Sequence, residues 1–146
     1  VTATASGPNA TWLRELGASV VIDYSSTRFD EVVGDMDVVI DLVGNADGST
    51  GTRSLSVLRP GGLYIMVPTG SWPGYAEAAA EAGVRATSYK VLPDGNALAT
   101  IARLLESGAI QVYIDRVYSL DEAATAHREL ERGHTRGKSV LRIGDD

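Results

Sequence analysis

The sequence contains no cysteine. This excludes a disulfide framework, a cysteine-ligated iron–sulfur cluster and a thiolate zinc site, and makes a reducing, cytoplasmic compartment the expectation. No apolar run approaches the roughly 20 residues that a spanning helix needs, and the N-terminus lacks the basic-then-apolar order of a signal peptide, so no membrane partner is expected. Positive charge is scarce: 13 Lys and Arg face 19 Asp and Glu, for a formal net charge of −6. No broad electropositive surface is available for a phosphate backbone, and nucleic acid is not an expected partner. The common motifs are also missing. No two glycines stand two residues apart, which rules out G-x-G-x-x-G, and neither G-x-x-x-x-G-K-[ST] nor G-x-S-x-G occurs. His127 and His134 have no cysteine to complete a metal set, so both read as helix-surface or helix-end side chains and no metal site is expected.

What is present is enough for one cored domain: 146 residues, 44% hydrophobic and 22% charged. β-branched stretches alternate with helical patterns. Strands are predicted over 1–6, 19–23, 37–43 and 62–68, with helices over 9–16, 27–33 and 50–58 between them. The run Asp37-Val38-Val39-Ile40-Asp41-Leu42-Val43-Gly44 has the pattern of a parallel strand covered on both faces. Arg59-Pro60-Gly61-Gly62 is expected to form a turn. An alanine-rich helix over 75–82 precedes a more polar strand over 84–91, suited to a sheet edge or a subunit contact. Asp94 caps a helix with Leu98, Ile101, Leu104 and Leu105 at helical spacing. A strand over 111–118, a helix opened by the capping box Ser119-Leu120-Asp121-Glu122 and a strand over 139–143 complete the chain. Strands separated by helices predict parallel pairing through right-handed crossovers, an α/β doubly wound pattern.

In open parallel sheets, ligands bind in the crevice outside the carboxyl ends of the strands. At those ends stand Ser6-Gly7-Pro8-Asn9, Tyr24-Ser25, Val43-Gly44-Asn45 and Val67-Pro68-Thr69-Gly70. Small residues there admit a flat ligand and hydroxyls and amides supply donors, although every α/β protein also needs turns at these places. Asp23, Asp37 and Asp41 lie in or beside strands. A strand-end acid can serve as a base or a ribose ligand, but a turn-forming or solvated role is the commoner one. No catalytic pair emerges.

The order of several segments is more specific. Thr2-Ala3-Thr4-Ala5-Ser6, Leu13-Arg14-Glu15-Leu16-Gly17-Ala18, Val21-Ile22-Asp23-Tyr24 and Asp37 to Gly44 are followed by Ser54-Leu55-Ser56-Val57-Leu58-Arg59-Pro60-Gly61-Gly62 and by Gly133-His134-Thr135-Arg136-Gly137-Lys138-Ser139-Val140-Leu141. Together they resemble the cofactor domain of medium-chain dehydrogenases/reductases, and most of all the zinc-independent quinone oxidoreductase and enoyl reductase branch. The resemblance covers essentially the whole chain. It implies a partial Rossmann-like doubly wound parallel sheet over 1–110 and, over 111–146, a C-terminal segment that returns to the substrate domain in relatives.

The resemblance also implies an oxidoreductase that passes hydride from a nicotinamide cofactor to a quinone, an enone or a similar activated double bond of a small-molecule substrate. Carried over by position, Ser6 meets the adenosine ribose. An acid there would bind the 2′-hydroxyl and repel a 2′-phosphate, so serine favours NADPH, with NADH as the alternative. Tyr24 matches a position whose hydroxyl reaches that phosphate. Asn9 lies in the Pro8-Asn9 stretch where relatives often carry lysine or arginine, and it brings a hydrogen bond without the charge. Gly44 and Val67-Pro68-Thr69-Gly70 match loops that pass the nicotinamide and its ribose, and Lys138 matches a lysine near the cofactor cleft. The strand over 84–91 matches the element through which relatives pair into homodimers. The chain opens inside a strand, without an initiator methionine. It corresponds to the family from the second Rossmann strand onward, so the central strand of the order 3-2-1-4-5-6 is expected to be missing. The alternative is a non-catalytic fold, oligomerised to cover its apolar edges, or a binding module without chemistry. An in-frame glycine fingerprint upstream of Val1 distinguishes the first reading from these.

Overall fold

A computed structural model of the chain describes residues 1–45, 47–133 and 135–144. The first part of the chain runs β1 (Thr2–Ala5), a 3₁₀ turn (Gly7–Asn9), α1 (Ala10–Glu15), β2 (Val20–Asp23) and β3 (Met36–Asp41). It continues through α2 (Thr50–Ser56), β4 (Leu58–Met66), α3 (Tyr75–Glu81) and β5 (Arg85–Ser88). The remainder comprises α4 (Gly95–Glu106), β6 (Ile114–Ser119), α5 (Ala123–Glu131) and β7 (Lys138–Arg142). Every strand pair is parallel, as connections through helices require: β1 with β2, β3 with β4 with β5, and β6 with β7. This is the α/β, Rossmann-like architecture expected from the sequence.

The chain forms two compact units, one over Val1–Val91 and one from Leu92 onward. α4 therefore groups with the C-terminal strands, whereas the sequence reading placed it before a boundary at 110. Asp94 caps α4 as anticipated, accepting from the backbone N–H groups of Asn96 at 2.9 Å and Ala97 at 3.1 Å. Asp94→Ala is expected to cost about 1 kcal/mol, the usual worth of an N-cap, read as a lower urea midpoint. The capping box also forms, with the Ser119 N–H donating to Glu122 at 2.9 Å.

Within the first unit the core lies on one face of the three-stranded sheet. Tyr64 and Met66 of β4 project there with Val39 and Asp41 of β3, beneath Leu55 of α2 and Ala79 of α3. The opposite face carries Val38, Ile40 and Leu42, which are 47%, 61% and 71% exposed. The expectation of a strand covered on both faces is thus corrected: β3 is apolar on both sides, but the helices α2 and α3 cover one. The sheet is also divided. β1 pairs only with β2 and β3 only with β4 among the described residues.

Other boundaries moved for local reasons. The predicted helix over 27–33 is a single 3₁₀ turn, Phe29–Glu31, because so short a segment cannot repay helix nucleation and Asp35 follows at φ 54°. Arg59 to Gly62 is carried inside β4 as an irregularity: the pairing runs Met36 with Leu58, then Val38 with Leu63. The strand predicted over 84–91 shrinks to Arg85–Ser88, because its partner β4 ends at Met66, which pairs with Ser88.

Candidate functional site

Two clusters form at the carboxyl ends of the strands in the first unit. The first lies where β1 and β2 end. The Asn9 side-chain amide donates to the Ser6 hydroxyl at 3.1 Å, and the Asn9 N–H donates to the Ser6 carbonyl at 2.9 Å. The Tyr24 N–H donates to Ala5 at 3.1 Å, which holds the two strand ends in step and leaves the Tyr24 side chain exposed. Asp23 joins them. Its carboxylate accepts the Ser25 hydroxyl at 2.6 Å and the Ser25 N–H at 3.0 Å, with a further bond from the Gly7 backbone. These bonds, the Ser25 hydroxyl first, hold the Asp23 carboxyl below the ordinary carboxylate range. A β-carbon on Gly7 would come within 2.7 Å of that carboxylate.

The second cluster lies where β3 and β4 end. The Asp41 carboxylate is buried and accepts three bonds: from the Val43 N–H at 2.8 Å, the Gly44 N–H at 2.7 Å and the Tyr64 hydroxyl at 2.6 Å. Burial, and then the bond to Asp41, push the Tyr64 phenol well above its ordinary value. Gly44 has φ 79°, and a β-carbon there would collide with Ser71 and sit 3.6 Å from Pro68. The loop after β3 and the loop after β4 are therefore in close approach. Trp72 strengthens the junction, its ring meeting Tyr64 edge-on at 6.0 Å and 73° and occupying the space beside Gly51 that a side chain would need. Asn45 accepts the Gly51 N–H at 2.8 Å, and the Thr69 hydroxyl donates to the Tyr89 carbonyl at 3.3 Å.

The structure thus brings Ser6, Asn9 and Tyr24 to one pair of strand ends and Gly44, Val67, Pro68 and Thr69 to the other. Lys138 opens β7 in the second unit and is exposed. His127 is an exposed residue of α5, and His134 lies outside the described residues. Among the described residues, no group of three His, Cys, Asp or Glu side chains could hold a metal ion, and no helix is long and apolar enough to cross a membrane. Sequence reasoning treated Asp41 as a turn former or a solvated acid. It does hold a turn, but from inside the core, paired with a tyrosine one diagonal step away on the neighbouring strand. An acid in an apolar strand together with a tyrosine in the next was the available signal.

Both clusters hold strand-end loops in fixed shapes. Asp41 accepts three donors and Tyr64 gives its hydroxyl proton to Asp41, so both side chains are engaged in fixing the loops. The family profile described as zinc-binding dehydrogenase matches residues 16–141. The chain belongs to that family, within the medium-chain dehydrogenase/reductase superfamily. It is similar to the mouse NAD(P)H oxidoreductase RTN4IP1, mitochondrial, at 28% identity over 98% of this chain and 41% of the relative. It is also similar to the 2-methylene-furan-3-one reductase of Solanum lycopersicum, at 32% identity over 97% of this chain and 33% of the relative. A solved quinone oxidoreductase from Coxiella burnetii superposes with a TM-score of 0.89 at 34% identity, over 99% of this chain and 45% of that one. The chain accordingly spans less than half the length of these relatives.

Proposed function

We propose that this chain forms the nucleotide-binding part of a zinc-independent, NADPH-dependent oxidoreductase that reduces a quinone or an activated carbon–carbon double bond. The observation that carries the reading is the pair of strand-end clusters, one rich in hydroxyls around an engaged Asp23 carboxylate, the other built around a left-handed glycine turn under an adjoining loop. When bound, the nicotinamide supplies the hydride. Ser6, Asn9 and Tyr24 hold the adenosine ribose and its 2′-phosphate, while Gly44, Val67, Pro68 and Thr69 flank the nicotinamide ribose. Relatives named as NAD(P)H oxidoreductase, 2-methylene-furan-3-one reductase and quinone oxidoreductase support the reaction class. β5 has one unpaired edge among the described residues, and we assign it the homodimer contact. The cytoplasmic assignment rests on the absence of cysteine; the mouse relative is named as mitochondrial.

The preference for NADPH rests on Ser6. Asp23 already brings a negative charge to this end, but its oxygens are engaged by Ser25 and Gly7, which leaves the Ser6 position to discriminate. Titration of the intact protein is expected to show saturable NADPH binding in the micromolar range, roughly −8 kcal/mol. Ser6→Asp is expected to weaken NADPH relative to NADH about tenfold or more, because a carboxylate facing a 2′-phosphate is a like-charge pair. Absence of saturable binding of either nucleotide overturns the proposed function; an unchanged ratio in the variant overturns the role of Ser6.

A further inference from the structure

We infer that Asp41, held by Tyr64, is a positioning residue for the nicotinamide half of the cofactor, and that it acts by withdrawing the amides of the β3 exit loop from the ligand. The inference rests on the function proposed above and concerns how one side of that site is built. A loop at the carboxyl end of a parallel strand can meet a ligand in two ways. Free N–H groups make it a cradle for anions, whereas engaged N–H groups leave carbonyls and side chains to do the contacting. Here the N–H groups of Val43 and Gly44 both donate to the Asp41 carboxylate, at 2.8 and 2.7 Å. The side chains that remain on the outside are those of Leu42 and Val43, which are 71% and 70% exposed. Such a lip suits an uncharged ring or a sugar edge and offers no amide pair to a phosphate.

The carboxylate holds this shape because it is itself fixed. Tyr64 is fully buried, donates to the second Asp41 oxygen at 2.6 Å, and is braced by Trp72, which follows the β4 exit loop. The Val67 N–H donates to the Asp41 carbonyl at 2.9 Å. Both loops assigned to the nicotinamide side are thus referred to one residue. An asparagine at position 41 keeps the shape and the oxygen on which both amides converge, but it turns an NH₂ group toward the Tyr64 hydroxyl and removes the negative charge that strengthens all three bonds.

The test compares two ligands in the intact protein. Asp41→Asn is expected to weaken NAD(P)H binding about tenfold, on the scale of a lost charge-assisted hydrogen bond, and to leave the affinity for adenosine 2′,5′-bisphosphate, which lacks both the nicotinamide and its ribose, unchanged. Equal weakening of both ligands, or of neither, overturns the inference while leaving the cofactor assignment standing. Failure of the wild type to bind either ligand overturns the cofactor assignment and the inference with it. If Asp41→Asn does not fold by circular dichroism, Tyr64→Phe carries the same comparison, with a loss of about threefold expected for the dinucleotide alone. Amide proton shifts supply a readout without ligand: the Val43 and Gly44 signals are expected downfield in the wild type and upfield in Asp41→Asn, and unmoved signals overturn the geometry on which the inference stands.

Discussion

Replacing Tyr64 by alanine is expected to destabilise the protein by about 4 kcal/mol, the range for deleting a buried aromatic side chain. The ring is fully buried among Leu55, Leu58, Met66 and Ala79, with Trp72 edge-on against it. Its loss opens a cavity under the sheet and leaves a buried carboxylate one donor short. Tyr64→Phe separates the two effects. It keeps the ring packing and deletes the bond to Asp41, for about 2 kcal/mol. Urea unfolding of both variants checks the ordering: the midpoint should fall further for alanine than for phenylalanine, with an unchanged slope. A phenylalanine variant as stable as the wild type would show that the hydrogen bond contributes nothing net.

The second large effect is expected at Gly137, just before β7. Its φ is 80°, and a β-carbon there would land on the backbone of Tyr113, whose carbonyl accepts the Lys138 N–H at 2.9 Å. A backbone neighbour cannot swing aside as a side chain can. Gly137→Ala therefore carries both the left-handed conformational cost and an overpacking cost, about 3 kcal/mol together. Gly133→Ala is the control: φ is 73°, with open space around it, so only the conformational cost of about 1 kcal/mol applies. Thermal melts of the two variants should differ clearly, and equal melting temperatures would contradict the close approach at Tyr113.

Much of the fold was legible because its cues are local. The alternation of β-branched runs and helical spacing identified every strand to within a few residues, and Asp94 and the Ser119–Glu122 box announce helix starts through hydrogen bonds spanning three residues. The strand-end rule likewise pointed to Ser6, Tyr24 and Gly44 without knowledge of pairing. What was not legible depends on residues far apart in the chain. That Ile40 faces outward follows from which side α2 and α3 occupy, and hydropathy does not encode that. The Asp41–Tyr64 bond joins residues 23 apart and depends on the β3–β4 register. Phe29 illustrates the reverse case: a locally helical pattern whose ring is met by the Arg53 guanidinium at 5.3 Å and whose backbone makes only one turn.

The division of the sheet between β1 and β3 has a consequence for how the molecule opens. Among the described residues no ladder of backbone bonds crosses that line, so β1, α1 and β2 can melt without breaking any strand pairing in β3, β4 and β5. The two ends of the proposed cleft share one compact unit but no strand ladder, so side-chain ties such as Arg53 with Asp30 and the Phe29 ring connect its parts. A dinucleotide gripping both would tie their fluctuations together, so that protection gained at Tyr24 on binding would be mirrored at Gly44.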